Sequence, residues 1–452
     1  MVNATAFNPH LNLATPGTQF HRIDKSKDNS VWSVRVSADR REGAMPAKIT
    51  KEIIESYQMC PYKGYMQLAG NRGNTSDYET LVRNSQTQAR TDVAAKMLHD
   101  KMHDFLRDAD VTFEVLTRGI YLLLDVTHED EQLKINFDGL QKSTGSSRLG
   151  DFHYIPILVH AGEKLGKEQR DLLEVLGLVL GAVQGKQPRW GIFFQGEDRK
   201  LRKVKLGGSI VKAQRTLRQI KEMREADTPP KLRLNSHCQI CEFRLRCHAK
   251  ATATDDLSLL RGMGEKEISK YNRRGIFTVT QLSCTFRPKR RAHGPKQQHQ
   301  SHQHALQALA IRDKKIYILG SPELLNSAVR IFFDVEGDPE RGFDYLLGMI
   351  VEAGGVEMRY SFWADSPADE ARVFQQFLDV VSAHQDFCLY SYGSYESTFL
   401  RRMMKSSDRE ELVKKVLMRT VNVLSIIYAH VYFPTYSNGL KEIGKYLGVN
   451  DR

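Results

Sequence analysis

Cys238-Gln-Ile-Cys241-Glu-Phe-Arg-Leu-Arg-Cys247 decides how the first half of this chain folds, because Cys-x2-Cys-x5-Cys is the spacing of a metal clasp short of one ligand. The missing thiol is Cys60, far upstream and followed directly by Pro61. Three neighbouring thiolates grip one face of a metal centre, while the fourth has to be carried across the whole intervening chain. Ligation would therefore weld everything between Cys60 and Cys238 into one unit. Soft thiolates select zinc or an iron-sulfur cluster, and four cysteines fit both. Disulfides fit less well. There are six cysteines in 452 residues, and Cys284 and Cys388 stand alone, as in a reducing compartment where thiols bind metal. Those two read as small buried hydrophobes.

Length and charge bound the rest. The chain is long enough for two or three domains with their own cores. A formal charge of +12 and a pI near 9.3 point to a polyanionic partner, with nucleic acid first, since Lys and Arg that neutralise phosphates release counterions. No apolar run approaches a membrane span; the longest lies around Leu176 to Val183. The opening MVNATAFNPH lacks the charged and apolar segments of a secretory signal, so cytoplasmic residence is expected.

Residues 1–45 read as a loose polar arm. A helix opens near Ile49 and is stopped by Pro61 at the cysteine, and a second helical stretch runs through Ala94 to Leu106. Gly119–Asp125, Leu133–Leu140 and His153–Val159 read as an antiparallel meander, separated by the turn-rich HEDEQ and STGSSRLG. Lys167–Val183 is helical, Trp190–Phe194 returns as a strand, and a basic helix over Val211–Ala226 leads into the cysteines. Residues 253–286 read as two short helices around Gly262-Met263-Gly264 with a second turn at Gly275. Such glycine turns serve phosphate contact and plain interdomain packing alike. The basic, Gln/His-rich stretch 287–305 is a solvated linker, and 306–328 a connecting hairpin. In the last segment, 329–452, Ile331-Phe-Phe-Asp334-Val-Glu336-Gly-Asp338 is an apolar strand ending in acids. Its two-residue spacing points Asp334 and Glu336 to one face, where paired carboxylates can bind a divalent metal.

Residues 46–252 resemble the RecB-like nucleases of the PD-(D/E)XK, restriction-endonuclease-like class that carry an iron-sulfur staple. The residues that carry the likeness are Ile49-Thr50, Cys60-Pro-Tyr-Lys-Gly-Tyr65, Phe137-Asp138-Gly139, Gln169 and the cysteine trio. The resemblance implies an α/β fold with a mixed sheet, a 4Fe-4S cluster on Cys60, Cys238, Cys241 and Cys247 with zinc as the alternative, and Asp138 as a magnesium ligand. It also exposes a departure: Leu158 and His160 occupy the places of the family's second acid and lysine. Glu163 and Lys164 are the nearest groups that would rebuild the site. Residues 253–286 resemble a helix-hairpin-helix element.

Residues 330–452 resemble the RNase H-like DEDD exonucleases, particularly the YprB type. Asp334 and Glu336 match the first motif and Glu396, in Tyr395-Glu396, the second, with Phe433–Lys441 and Tyr446-Leu-Gly448 agreeing beyond the acids. The likeness implies two Mg2+ or Mn2+ ions and phosphodiester hydrolysis. Asn422 stands where an aspartate is expected, and the final acidic motif would lie past Asn450-Asp451-Arg452, so an incomplete, C-terminally truncated domain is expected. The pairing of the two units resembles a bacterial family of RecB-like nucleases that continue into a helicase-like ATPase. No Gly-x4-Gly-Lys-Ser/Thr phosphate loop occurs here. The expectation is a metal-dependent exonuclease acting on DNA or RNA, in repair or degradation. A non-catalytic nucleic-acid-binding scaffold is the rival, and a zinc-stapled interaction module the third reading.

Overall fold

In a computed structural model the described residues are 47–99, 104–162, 165–196, 198–226, 228–287, 303–322, 324–338 and 343–449. The expectations for the N-terminal arm, for most of the Gln/His-rich linker, for Glu163 and Lys164 and for Asn450–Arg452 lie outside these residues.

A short strand β1 (Ile49–Thr50) turns straight into α1 (Lys51–Met59), because the Thr50 hydroxyl accepts the Ile53 N–H and so caps the helix. Cys60 ends α1 in extended conformation, and Pro61 opens α2 (Pro61–Leu68), where its missing N–H costs nothing. Ser76 caps α3 (Asp77–Leu98). The helix read over Ala94–Leu106 thus begins earlier and ends at Leu98. Phe105 and Leu106 belong instead to β2 (Phe105–Arg107), held parallel to the strand that follows it by pairing with Leu122 and Leu123. After α4 (Phe113–Thr117) come β3 (Leu122–Glu129), β4 (Leu133–Ser147) and β5 (Gly150–His160), an antiparallel meander as read. The STGSSRLG stretch is mostly strand: β4 runs on to Ser147 by absorbing an irregularity between Thr144 and Ser147, with Gly145 at φ 121°.

The helix α5 (Lys167–Gln184) crosses back so that β6 (Trp190–Gln195) lies parallel to β5, and β7 (Lys200–Lys205) closes the edge. Gly185 stops α5 at φ 70°, where a Cβ would sit 2.0 Å from Arg148 Cδ. The sheet order is β2-β3-β4-β5-β6-β7, with β1 beside the start of β4. One face is covered by α1, α5 and α6 (Ile210–Ala226), around Phe137, Leu158, Leu176 and Ile220; α3 covers the other, over Ile155, Ile157, Ile192 and Phe194.

Residues 236–253 hold the cysteine trio and α7 (Arg244–Ala253). Two short helices follow, α8 (Glu265–Asn272) and α9 (Val279–Ser283), joined at Gly275 with φ 77°. They share a small core with α10 (His304–Asp313) through Leu260, Met263, Ile268, Leu282 and Ala308. The connecting hairpin expected over 306–328 is therefore corrected to this helix followed by a two-residue strand, β8 (Tyr317–Ile318). Its alanine- and leucine-rich run buries Leu306, Gln307, Ala308 and Ala310; adjacent buried positions with Leu306 and Ala310 four apart fit a helix face and not an alternating strand.

The C-terminal unit holds β9 (Val329–Asp338), β10 (Phe343–Ala353), β11 (Val356–Trp363), α11 (Glu370–Ser382), β12 (Cys388–Ser391), α12 (Tyr395–Met404), α13 (Glu410–Met418), β13 (Thr420–Asn422), α14 (Val423–His430), β14 (Val431–Tyr432) and α15 (Leu440–Tyr446). Its sheet runs β11-β10-β9-β12-β13, antiparallel in the first three strands and parallel in the last pairings. Ile331, Phe333 and Val335 of β9 face a core built with Phe374, Phe377, Phe399 and Val413. The strand β14 pairs with β8, and the Gln307 amide donates to the Phe433 and Thr435 carbonyls, so the segment after α14 is stitched to α10.

Candidate functional site

In β9 the residues alternate strictly: Ile331, Phe333 and Val335 point into the core, and Phe332, Asp334 and Glu336 point out. The two acids thus share one face, at the end of the central strand. Glu396 meets them from α12, in the first helical turn, where the helix N-terminus favours negative charge. Its side chain is 5 % exposed, and Oε2 has no hydrogen-bond partner. Burial, and then the charges of Asp334 and Glu336, push its carboxyl above the usual carboxylate range. An unpaired buried carboxylate oxygen aimed among acids is the chemistry a hard divalent cation satisfies, so this donor set fits Mg2+ or Mn2+.

Neighbouring contacts hold the elements that carry the trio. The Tyr395 hydroxyl, next to Glu396, donates to Asp344 Oδ1 at 2.5 Å; Arg402 pairs with Asp344 Oδ2 and, at 2.7 Å, with Glu370; and Glu370 accepts the Asp344 N–H at 2.6 Å. This network ties α12 to β10 and α11. Gly337, between Glu336 and Asp338, has no room for a side chain: a Cβ would lie 2.1 Å from Asp344 Oδ1 and 2.6 Å from the Tyr395 oxygen. Asp344 and Arg402 were not singled out in the sequence, where nothing marks Asp344 as buried, and Tyr395 entered only as the neighbour of Glu396. Asn422, in the position expected to be an aspartate, caps α14 by accepting the Ser425 N–H at 3.1 Å.

Asp138 has a different fate. It lies where β4 and β5 diverge, and its Oδ2 accepts the Val159 N–H at 2.8 Å in place of a strand neighbour. Its Oδ1 is 2.8 Å from Lys51 Nζ and 3.1 Å from Arg90 Nε. Lys51, 1 % exposed, was missed in the sequence because a lysine opening a helix reads as a surface residue. Leu158 is core, and burial and the Lys51 ammonium hold the His160 imidazole below its ordinary pKa. Two protein cations thus occupy the carboxylate that the resemblance assigns to magnesium. Asp138 does not join Asp334, Glu336 and Glu396.

The four cysteines are drawn to one place. Cys60 and Cys247 are buried in a small core with Tyr62, Met66 and Phe243, and Cys241 packs against it. Asn235 bridges the ends: its N–H donates to Cys238 Sγ at 3.3 Å and its amide to the Met59 carbonyl at 3.0 Å, beside Cys60. Gln67 and the Gly73 N–H bind the Glu242 carboxylate, and Lys250 reaches the Tyr62 hydroxyl at 3.0 Å. Burial and the neighbouring thiols Cys238, Cys241 and Cys60 push the Cys247 thiol up to about 12. The Cys238 and Cys241 thiols are likewise raised, first by burial. Among the described residues no three His, Cys, Asp or Glu side chains form a ready-made metal cage, here or at the acids. As a donor set, four mutually repelling soft sulfurs fit zinc or an iron-sulfur cluster, which would replace their protons.

Residues 331–452 match the family model described as the RNase_H superfamily. That segment is an RNase H-like α/β domain, and it implies a nuclease-type, nucleic-acid-processing role with nucleic-acid substrates and the Mg2+ or Mn2+ such nucleases generally use. No curated protein matches the chain. No helix among the described residues is long and apolar enough to cross a membrane.

Removing the Asp138 carboxylate strands Lys51 in the interior, so Asp138→Ala is expected to lower unfolding stability by about 3–5 kcal/mol in urea titration, with cleavage per folded molecule unchanged. The paired replacement Lys51→Met/Asp138→Leu should restore most of that loss. For Glu396 the folded state disfavours the ionised form. The penalty is absent below the unfolded value of about 4.3 and complete once pH has risen through the raised folded value. Glu396→Gln should therefore raise the urea midpoint in EDTA at neutral pH, with the gain vanishing toward acid; a pH-independent difference would contradict it.

Proposed function

We propose that this protein is a metal-dependent exonuclease of DNA repair or nucleic-acid degradation, hydrolysing phosphodiester bonds in its RNase H-like domain. The observation that supports this reading most is the orphaned Glu396 oxygen, buried beside the outward-facing Asp334 and Glu336. Asp334 and Glu336 would hold the divalent cation, with Glu396 as a weaker third ligand. When bound, that ion supplies an activated water and neutralises charge at the leaving oxygen. The chain itself contributes the fixed geometry: β9 aligns two acids, and Tyr395 with Arg402 holds α12 so that Glu396 stays turned toward them.

Residues 46–252 act in this reading as a RecB-like unit that binds nucleic acid without cutting it. The scaffold alternative is favoured for this unit by one observation, the neutralisation of Asp138 by Lys51 and Arg90. Cys60, Cys238, Cys241 and Cys247 would hold a 4Fe-4S cluster, or zinc in the second place, as a brace. A helicase-like ATPase is the proposed partner, and the cytoplasm the proposed compartment.

End-labelled single and double strands incubated with Mg2+ or Mn2+ test the enzyme. Digestion should fall at least about 100-fold in Asp334→Ala/Glu336→Ala, as for loss of a charge-stabilising partner, with binding retained. Salt-sensitive binding without digestion by the wild type would leave the scaffold reading alone. The purified protein should be brown and lose thermal stability on chelation or oxidation; a colourless preparation with stoichiometric zinc overturns the cluster.

A further inference from the structure

The hairpin formed by β6 and β7 carries seven cations against two acids between Lys186 and Lys205. Strand β7 is the sheet's edge, and Lys200, Arg202, Lys203 and Lys205 are all exposed along it. Lysines on an edge strand ordinarily block pairing with another sheet. That purpose does not call for an aromatic ring, yet Trp190 lies 39 % exposed on the same hairpin. The register sets Trp190 opposite Lys205 and Ile192 opposite Lys203, so both lysines share the ring's face of the sheet. Lys203 Nζ hangs 5.2 Å from the Trp190 ring centre. No ion-pair partner for Arg202, Lys203 or Lys205 exists among the described residues.

The turn of the hairpin is tied to α3. Arg199, in left-handed conformation at φ 49° in the connecting turn, pairs with Asp92 of α3 at 2.8 Å, and Lys96 of α3 donates to the Arg199 carbonyl at 3.4 Å. Further along the same face of β6, Ile192 and Phe194 are buried under α3. An exposed indole beside ammonium groups without ion-pair partners offers a stacking surface and charge complementarity in one line. Duplexes hide their base faces; single strands do not.

We infer that the β6–β7 hairpin is a single-strand binding strip, with Trp190 stacking an unpaired base and Lys203 and Lys205 neutralising flanking phosphates. This rests on the nucleic-acid reading above and assigns it a substrate class and a path. The test measures binding of a 5′-labelled oligothymidylate by fluorescence anisotropy in EDTA, so that cleavage plays no part, with a blunt duplex alongside. Trp190→Ala should weaken single-strand binding about tenfold. Lys203→Gln/Lys205→Gln should weaken it further at low salt and flatten the salt dependence by about 0.7 in log–log slope for each lysine. Unchanged melting midpoints establish that these surface variants are folded. Wild-type binding undiminished in both variants overturns the strip and leaves the proposed nuclease intact. Equal losses on duplex overturn the single-strand assignment. No binding by the wild type at low salt overturns both.

Discussion

A carboxylate withdrawn from water has to be compensated, and the two acid sites of this chain differ in where the compensation comes from. At Asp138 it comes from within: Lys51 and Arg90 close on one oxygen and the Val159 N–H on the other, so the group is satisfied as soon as the domain folds. At Glu396 it is incomplete, because one oxygen is buried without a partner beside two further acids. Breaking the first arrangement leaves a buried charge, which is costly; completing the second takes a cation from solution. That contrast separates an acid satisfied by the fold from one the fold leaves unsatisfied, although both are aspartates or glutamates on or beside a central strand.

The surrounding framework follows the same division. In the N-terminal unit, contacts converge on stability: Asn235 ties the cysteine loop to the end of α1, and Glu242 takes the Gln67 amide and the Gly73 N–H. In the RNase H-like domain, the network of Asp344, Tyr395, Arg402 and Glu370 leaves the acids alone and instead clamps the elements that carry them. Gly337 belongs to that clamp, because only hydrogen fits between β9 and the Asp344–Tyr395 pair. A rigid support of this kind keeps acids close despite their mutual repulsion.

Much was legible in the sequence where one short-range pattern controls the outcome. The alternation in Ile331–Glu336 sets both acids on one strand face whatever surrounds it. Period also located α5 and the β3–β5 meander. It failed at Phe105-Leu106, where pairing with β3 overrode a helical reading, and at Leu306–Leu319, where the joint burial of Leu306, Gln307 and Ala310 made a helix of an expected hairpin.

By itself, then, the sequence determined which residue types face together along each strand and helix, the excess of positive charge, and the close spacing of Cys238, Cys241 and Cys247, because these depend on neighbours a few positions apart or on composition alone. Only the tertiary structure decided that Lys51 neutralises Asp138, that Asn422 caps a helix, that Asp344 is buried under Arg402, and that Trp190 lies against Lys203 of the edge strand. Each of those outcomes turns on which groups from distant segments share a few ångströms of space, and in a low-dielectric interior that proximity governs whether a charge is spent on the fold or left for a ligand.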